Sequence, residues 1–128
     1  MRELLAERDV LPMYGQVAVL DVGTTDIPEF ETGEEQLVAS EHAVLVATRP
    51  DHLGTVRVQV VRGDVEGLGA RVFDAELAIV SGRLAVGSIV ACQMLEVQTG
   101  GAGYVPVQIF VDPIQMPERV SVVLGLAA

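Results

Sequence analysis

The strongest constraint on the fold is a two-residue alternation of apolar and polar side chains. Between residues 55 and 60 every second position is valine, and Thr, Arg and Gln fill the positions between them. Residues 73–79 repeat the pattern, with Asp74 and Glu76 on the polar side. Successive side chains of a β-strand point to opposite faces of a sheet. The alternation therefore predicts half-buried strands, and the abundance of β-branched valine favours the same structure.

Short apolar segments of this kind recur from Gln16 onward at intervals of about 8–12 residues, separated by turn residues such as Ser81-Gly82. This spacing predicts an all-β fold, an antiparallel β-sandwich of about seven to nine strands. Residues 16–128 are predicted to form this single domain. Residues 2–9 could form two helical turns, but fewer than about 12 residues rarely form a stable helix alone. Residues 1–15 are therefore predicted to be a short N-terminal segment packed beside the domain. The predicted inner faces include Val56, Val58, Val60, Phe73, Leu77, Ile79, Val120, Val122 and Leu124.

The charge of the chain disfavours some classes of partner. It has 18 acidic and 8 basic residues, for a formal net charge of −10 at pH 7, and only 4% of its residues are aromatic. Nucleic-acid binding requires basic groups that neutralise phosphates and often aromatic rings that stack on bases, so nucleic acid is not an expected partner. No apolar run approaches the roughly 20 residues of a membrane span, so membrane association is not expected either.

The cysteine content indicates a cellular compartment. Cys92 is the single cysteine and cannot form an internal disulfide, and the N-terminus lacks the apolar core of a signal peptide. Both features predict a cytoplasmic protein. Because Cys92 ends the apolar run Ser88–Cys92, we expect it to be a small buried side chain.

No catalytic signature is present in the sequence. It contains no Gly-x-Ser-x-Gly turn, His-Glu-x-x-His pair or phosphate-binding glycine loop, so no catalytic residue, metal ligand or cofactor is predicted. His42 and His52 each follow an acidic residue, but a strand from Ala43 to Arg49 would hold them about 30 Å apart. That separation is too large for a shared metal, and we expect two surface histidines in loops.

The most asymmetric feature of the sequence is its acidic segment. Between Asp9 and Thr48 there are eight acids and no Arg or Lys, and the polar part from Gly23 to Gln36 is predicted to be a long loop. Three interpretations remain open: a solvated loop, a docking surface for a basic protein, or a calcium site built from several loops. For the docking surface, the predicted binding residues are Asp26, Glu29, Glu31, Glu34 and Glu35.

The segment from Tyr104 to Val111 is apolar on both sides, since its outward positions are Tyr104, Pro106, Gln108 and Phe110. Proline cannot donate a hydrogen bond to a neighbouring strand, so an edge strand or a bulge is predicted here. A bare apolar edge promotes aggregation and is expected to be covered. The candidate covers are the N-terminal Leu4-Leu5 segment, which offers little area, and a second copy of the chain. We predict the second copy, in a two-fold homodimer, because this is the most common kind of oligomer.

The order of turns and strands also resembles a known family. Four features carry the resemblance across residues 16–124: Gly33 in an acidic loop before paired strands at Leu37 and Ala43, Phe73-Asp74-Ala75-Glu76-Leu77 leading into Ser81-Gly82-Arg83-Leu84, Gly103-Tyr104 opening an alternating strand, and Pro117-Glu118-Arg119 before the last strand. The pattern is similar to the bacterial ComJ-like β-sandwich proteins, a family that includes a nuclease inhibitor. The resemblance implies a β-sandwich and an acidic protein that binds a basic protein.

These observations together predict a non-enzymatic interaction or inhibitor-type domain that uses its acidic loop to bind a basic protein. The alternative is a β-sandwich module that binds calcium or a small ligand through loop carboxylates.

Overall fold

The computed structural model describes residues 1–125 as two five-stranded β-sheets packed face to face. Sheet A has the strand order β1-β5-β10-β9-β6, and sheet B has the order β3-β4-β2-β7-β8. The predicted all-β sandwich is confirmed, although ten strands replace the predicted seven to nine. No helix in this part of the chain is long and apolar enough to cross a membrane. The strands are β1 (Arg2–Val10), β2 (Gln16–Asp21), β3 (Leu37–Ala39), β4 (Ala43–Ala47), β5 (Val56–Gly63), β6 (Ala70–Ile79), β7 (Arg83–Ser88), β8 (Gln93–Gln98), β9 (Gly103–Asp112) and β10 (Arg119–Leu124).

Sheet A contains one parallel pair, which departs from the predicted antiparallel arrangement. β10 lies between β5 and β9, parallel to the first and antiparallel to the second. Val120, for example, is opposite Val58 on one side and Val111 on the other. Side-chain alternation is the same in parallel and antiparallel strands, so the sequence pattern carries no information about this insertion.

Aliphatic side chains fill the space between the sheets. Val56, Val58 and Val60 of β5 are fully buried there, as their alternation predicts. Every predicted inner-face residue belongs to this core, with Phe73 only partly buried and packed against it.

Each sheet also carries a smaller apolar cluster on its outer face, and a long loop covers each cluster. Over sheet B, the loop of residues 22–36 packs Phe30 against β2 and β4. Over sheet A, the loop of residues 64–69 packs Leu68 against Phe110 and its neighbours, and Leu68 is only 1% exposed. These loops explain why the strands beneath them are apolar on both faces.

The N-terminal segment is largely a strand of sheet A, so the predicted boundary at residue 15 does not separate it from the sandwich. β1 pairs antiparallel with β5 along its length. It is an edge strand, and Arg57 of β5 binds Glu7 at 2.8 Å and Asp9 at 3.2 Å across the pair. The charges that obscure the strand pattern in the sequence therefore belong to cross-strand ion pairs.

β9 is a central strand of sheet A, so its predicted place at an edge is wrong. A proline is tolerated at position 106 because its ring nitrogen, which cannot donate, faces the side of β10 beyond Leu124, where that strand ends. The Pro106 carbonyl faces the same side and accepts the Gly125 amide at 2.8 Å. Phe110, expected on the open face, is 6% exposed beneath Leu68. The bare edge that motivated the homodimer is absent, and the homodimer itself stays a prediction.

The connection between β7 and β8 also differs from expectation. Residues 89–92 form a tight turn rather than the start of a strand, and the Cys92 amide bonds to the Ile89 carbonyl at 3.1 Å. Cys92 is exposed and has a positive φ of 56°. The expectation that Cys92 is a buried side chain is therefore wrong, because the apolar run that contains it turns at the end of the sheet.

The two ends of the sandwich are built from different connections. One of them, which we call the Tyr14 end, carries residues 11–15, 48–55, 89–92 and 113–118. Backbone hydrogen bonds join these connections, among them Thr48 N to Gly15 O at 2.8 Å and Arg49 N to Pro117 O at 3.1 Å. The opposite end carries residues 40–42, 80–82 and 99–102.

Candidate protein-interaction site

The acidic loop crosses the outer face of sheet B from the opposite end to the Tyr14 end. It is fixed near its start, where the Ser40 hydroxyl donates to the Asp26 carbonyl at 2.8 Å. Phe30 packs on the sheet in the middle of the loop. Near its end, the Gln36 side-chain amide donates to the Ile114 carbonyl at 3.1 Å. The loop therefore has a defined position on the sandwich although it contains no strand.

Glu35 organises the tip of this loop. Its carboxylate accepts the amide of Glu31 at 2.7 Å, the amide of Thr32 at 3.1 Å and the hydroxyl of Thr32 at 2.7 Å. These donors favour the ionised carboxylate, and they lower the pKa of Glu35 to about 2, with the Thr32 hydroxyl as the largest cause. Glu35 is thus a structural residue of the loop as well as one of its charges.

The five predicted binding residues do not form one cluster. Glu31, Glu34 and Glu35 lie together at the Tyr14 end, whereas Asp26 is tied to Ser40 towards the opposite end, with Glu29 between them. All except Glu35 are exposed. Within residues 1–125, none of the five takes part in an ion pair; the arginine pairs there use Glu7, Asp9, Asp64, Asp74, Glu96, Asp112 and Glu118.

A groove of about 260 Å³ lies beside the tip of the acidic loop. Tyr14 stands on one side of it with 80% of its surface exposed, and its φ of 61° is unusual for a residue with a side chain. Sequence reasoning missed Tyr14 and Phe30 as residues of a site. The only sequence features that could have drawn attention to them are the glycine that follows Tyr14 and the acidic residues on either side of Phe30. The groove is lined by Tyr14, Gly15, Gln16, Phe30, Gly33, Glu35 and Ala47.

The two histidines lie at opposite ends of the sandwich, as their spacing predicts. His52 is exposed on a 3₁₀ turn at Asp51–Leu53. His42 differs from the expected surface histidine: it is half-buried, and its Nδ1 lies 2.9 Å from the Ala78 carbonyl, to which it donates. Among residues 1–125, no three Asp, Glu, His or Cys side chains converge in a geometry that could hold a metal ion.

A buried carboxylate at the opposite end brings Asp21, His42 and Ser81 together. Asp21 accepts the Ser81 hydroxyl at 2.6 Å and the backbone amides of Val80 and Ser81 at 3.1 and 3.0 Å. His42 Nδ1 is 4.0 Å from Asp21 and bonds to Ala78 instead. In a catalytic triad the serine hydroxyl meets a histidine base, whereas here it donates to the carboxylate. This arrangement fixes the turn between β6 and β7.

Comparison with known proteins supports the fold and leaves the activity open. No protein-family model matches the chain, and no curated protein matches it. Among solved structures, the chain is similar to the crystal structure of ComJ from Bacillus subtilis, described as an inhibitor of the DNA degrading activity of NucA. The TM-score is 0.75 at 12% sequence identity, over 100% of this chain and 99% of ComJ. The resemblance inferred from the turn pattern is therefore confirmed at the level of the fold, which this protein shares with ComJ over its whole length.

Proposed function

We propose that this protein is a non-enzymatic, inhibitor-type interaction domain that binds a basic protein through its acidic loop. The observation that carries the proposal is a set of exposed carboxylates, Asp26, Glu29, Glu31 and Glu34, on a loop held to the sheet by Phe30. The loop that carries them is anchored through Phe30, Gln36 and the Asp26 carbonyl, and within residues 1–125 none of the four carboxylates pairs with an arginine. A fixed field of one sign attracts a partner of the opposite sign and accelerates association.

The shared fold suggests a class of partner. ComJ is described as an inhibitor of the DNA degrading activity of NucA. An enzyme that holds DNA must present basic groups to the phosphate backbone, and an acidic surface complements such groups. We therefore propose a nucleic-acid-degrading enzyme as the first basic protein to test, and a cytoplasmic site of action, which the single cysteine favours.

The acidic loop can be tested by charge reversal. The protein would be immobilised, exposed to native extract at about 0.05 M salt, and eluted at about 0.5 M salt, where exposed charges are screened. Glu31→Lys/Glu34→Lys should slow association of the eluted protein at least about tenfold and weaken its salt dependence. The matched control is Glu66→Lys/Glu76→Lys, two exposed acids outside the loop with the same change in charge.

The control variant should associate at nearly the rate of the unmodified protein. Both variants should keep their free energy of unfolding within about 0.5 kcal/mol, because exposed charges contribute little to stability. If both slow association equally, only the net charge matters and the loop is not the binding site. If no basic protein is retained at low salt, the proposed function is wrong. A rise in melting temperature with millimolar calcium would favour the alternative calcium module instead.

The predicted two-fold homodimer is the second part of the proposal. Its remaining support is on the outer face of sheet A, where Tyr104 is 50% exposed and Pro106 is also exposed. Tyr104 is held in place there, because its hydroxyl donates to Glu41 at 2.8 Å, which raises the pKa of Tyr104. A rigid aromatic side chain beside an exposed proline is a suitable contact for a second copy.

A further inference from the structure

The Tyr14 end of the sandwich collects exposed apolar surface. Its four connections contain seven of the thirteen large apolar side chains that are exposed within residues 1–125. Single exposed apolar residues are ordinary, whereas several of them grouped on one surface are typical of sites that bind another molecule. The most exposed are Tyr14 at 80%, Ile114 at 54%, Val90 at 53%, Met116 at 51% and Leu53 at 50%.

The same end carries an excess of negative charge. Arg49 and Arg119 are neutralised by Glu118 and Asp112, each at 3.2 Å. Four carboxylates at this end have no ion-pair partner within residues 1–125: Glu31, Glu34, Glu35 and Asp51. Protein–protein interfaces commonly combine apolar side chains with charged and polar groups.

Tyr14 is the most exposed of the apolar side chains at this end, and its backbone has an unfavourable conformation. Its φ of 61° and ψ of 18° lie in the left-handed region, which costs a residue with a side chain about 1–3 kcal/mol. The next residue, Gly15, is also left-handed, and Pro12, two residues before Tyr14, is buried. Tyrosine is enriched among the residues that dominate binding energy, since its ring offers a large rigid surface and faces cations favourably.

We propose that the Tyr14 end is the docking surface for the basic protein, and that the partner's contact patch combines Arg or Lys with an exposed apolar side chain that packs against Tyr14. This inference rests on the proposed function and adds an apolar anchor to the acidic loop. A second copy of the chain is the disfavoured occupant, because two such ends would bring four unpaired carboxylates against four others. Charge complementarity selects a cationic partner.

The test uses a defined probe, a hexapeptide of alternating Arg and Trp, titrated into the ¹⁵N-labelled full chain and followed by NMR. Amide shifts should concentrate at residues 11–15, 48–55, 89–92 and 113–118 and at residues 31–35 of the acidic loop. A hexapeptide of alternating Arg and Ser should bind more weakly and without that concentration, and one of Glu and Trp should not bind. Tyr14→Ser should lower the affinity for the Arg–Trp peptide at least about tenfold. The matched control is Val80→Ser, a 68% exposed residue at the opposite end, which should change nothing.

Several outcomes would overturn the inference. One is equal binding of the Arg–Trp and Arg–Ser peptides with no effect of Tyr14→Ser; that result leaves the acidic loop and the proposed function intact. Another is a set of shifts centred on the opposite end. A third is a dimer in sedimentation equilibrium that Tyr14→Ser dissociates, because a second copy would then occupy this end. Ile114→Ser provides an independent variant, and the spectrum of each variant shows whether it is folded.

Discussion

Leu68 offers a direct test of how the outer face of sheet A is covered. Leu68→Ala removes a side chain that is 1% exposed and packs on Val61, Phe110 and Val123. The lost carbon atoms amount to about 2.4 kcal/mol at about 0.8 kcal/mol per methylene group. Leu→Ala changes in rigid cores cost about 2.7–5 kcal/mol, and a surface loop can partly relax into the space. We expect about 3 kcal/mol.

Urea unfolding followed by circular dichroism measures this loss directly. For 128 residues the entropy of unfolding is roughly 0.27 kcal/mol/K, so 3 kcal/mol corresponds to a fall of about 11 °C in Tm. The matched control is Val65→Ala in the same loop. Val65 is 38% exposed and should lose less than about 1 kcal/mol when truncated.

The result has a second consequence, because Phe110 would be uncovered. Leu68→Ala should bind an apolar dye more strongly and associate more readily than the unmodified protein. A loss below about 1 kcal/mol, or one equal to that of Val65→Ala, would refute the argument. The loop of residues 64–69 would then not be a structural cover for sheet A.

Three further predictions follow from single features. The hydrogen bonds of ionised Glu35 stabilise the fold above its usual pKa of 4.5, and this stability is lost as the pH falls through about 2. The Glu31 amide resonance should therefore titrate with a midpoint near pH 2, and Thr32→Val should move that midpoint towards 4.5. An unchanged midpoint would contradict the hydrogen-bond network. Gly87→Ala should lower the free energy of unfolding in urea by at least about 3 kcal/mol, because φ is 147° and a Cβ would collide with the Gln93 carbonyl. The control Gly67→Ala, at a position with open space around it, should lower it by about 1 kcal/mol. Sedimentation equilibrium should give twice the monomer mass of 13.6 kDa and lose it in Pro106→Arg, and a mass of 13.6 kDa for the unmodified protein would contradict the homodimer.

The fold was predictable where a strand has one buried face. The valines of β5 identify both the strand and its inner side. The same rule failed for β1, because an edge strand leaves most side chains in solvent and its charges pair with Arg57 of the neighbouring strand. The alternation also could not predict whether β10 runs parallel or antiparallel to its neighbours, because the side-chain pattern is the same in both cases.

The acidic loop was predictable from its composition, but its internal structure was not. Charge marks Glu31, Glu34 and Glu35 equally, and only the fold shows that Glu35 turns back onto Glu31 and Thr32. Tyr14 was unpredictable for a related reason. Its prominence arises from a left-handed turn and from the meeting of four connections that are far apart in the sequence.

The position of β10 affects how the protein emerges during synthesis. β5 and β9 are joined only through β10, so sheet A cannot assemble until residues 119–124 have left the ribosome. Until then we expect β1 with β5, and β6 with β9, to be separate strand pairs, and unpaired strand edges of this kind promote aggregation. The net charge of −10 repels neighbouring nascent chains during this interval. The acidity that we assign to partner binding is therefore also expected to limit aggregation before the protein is folded.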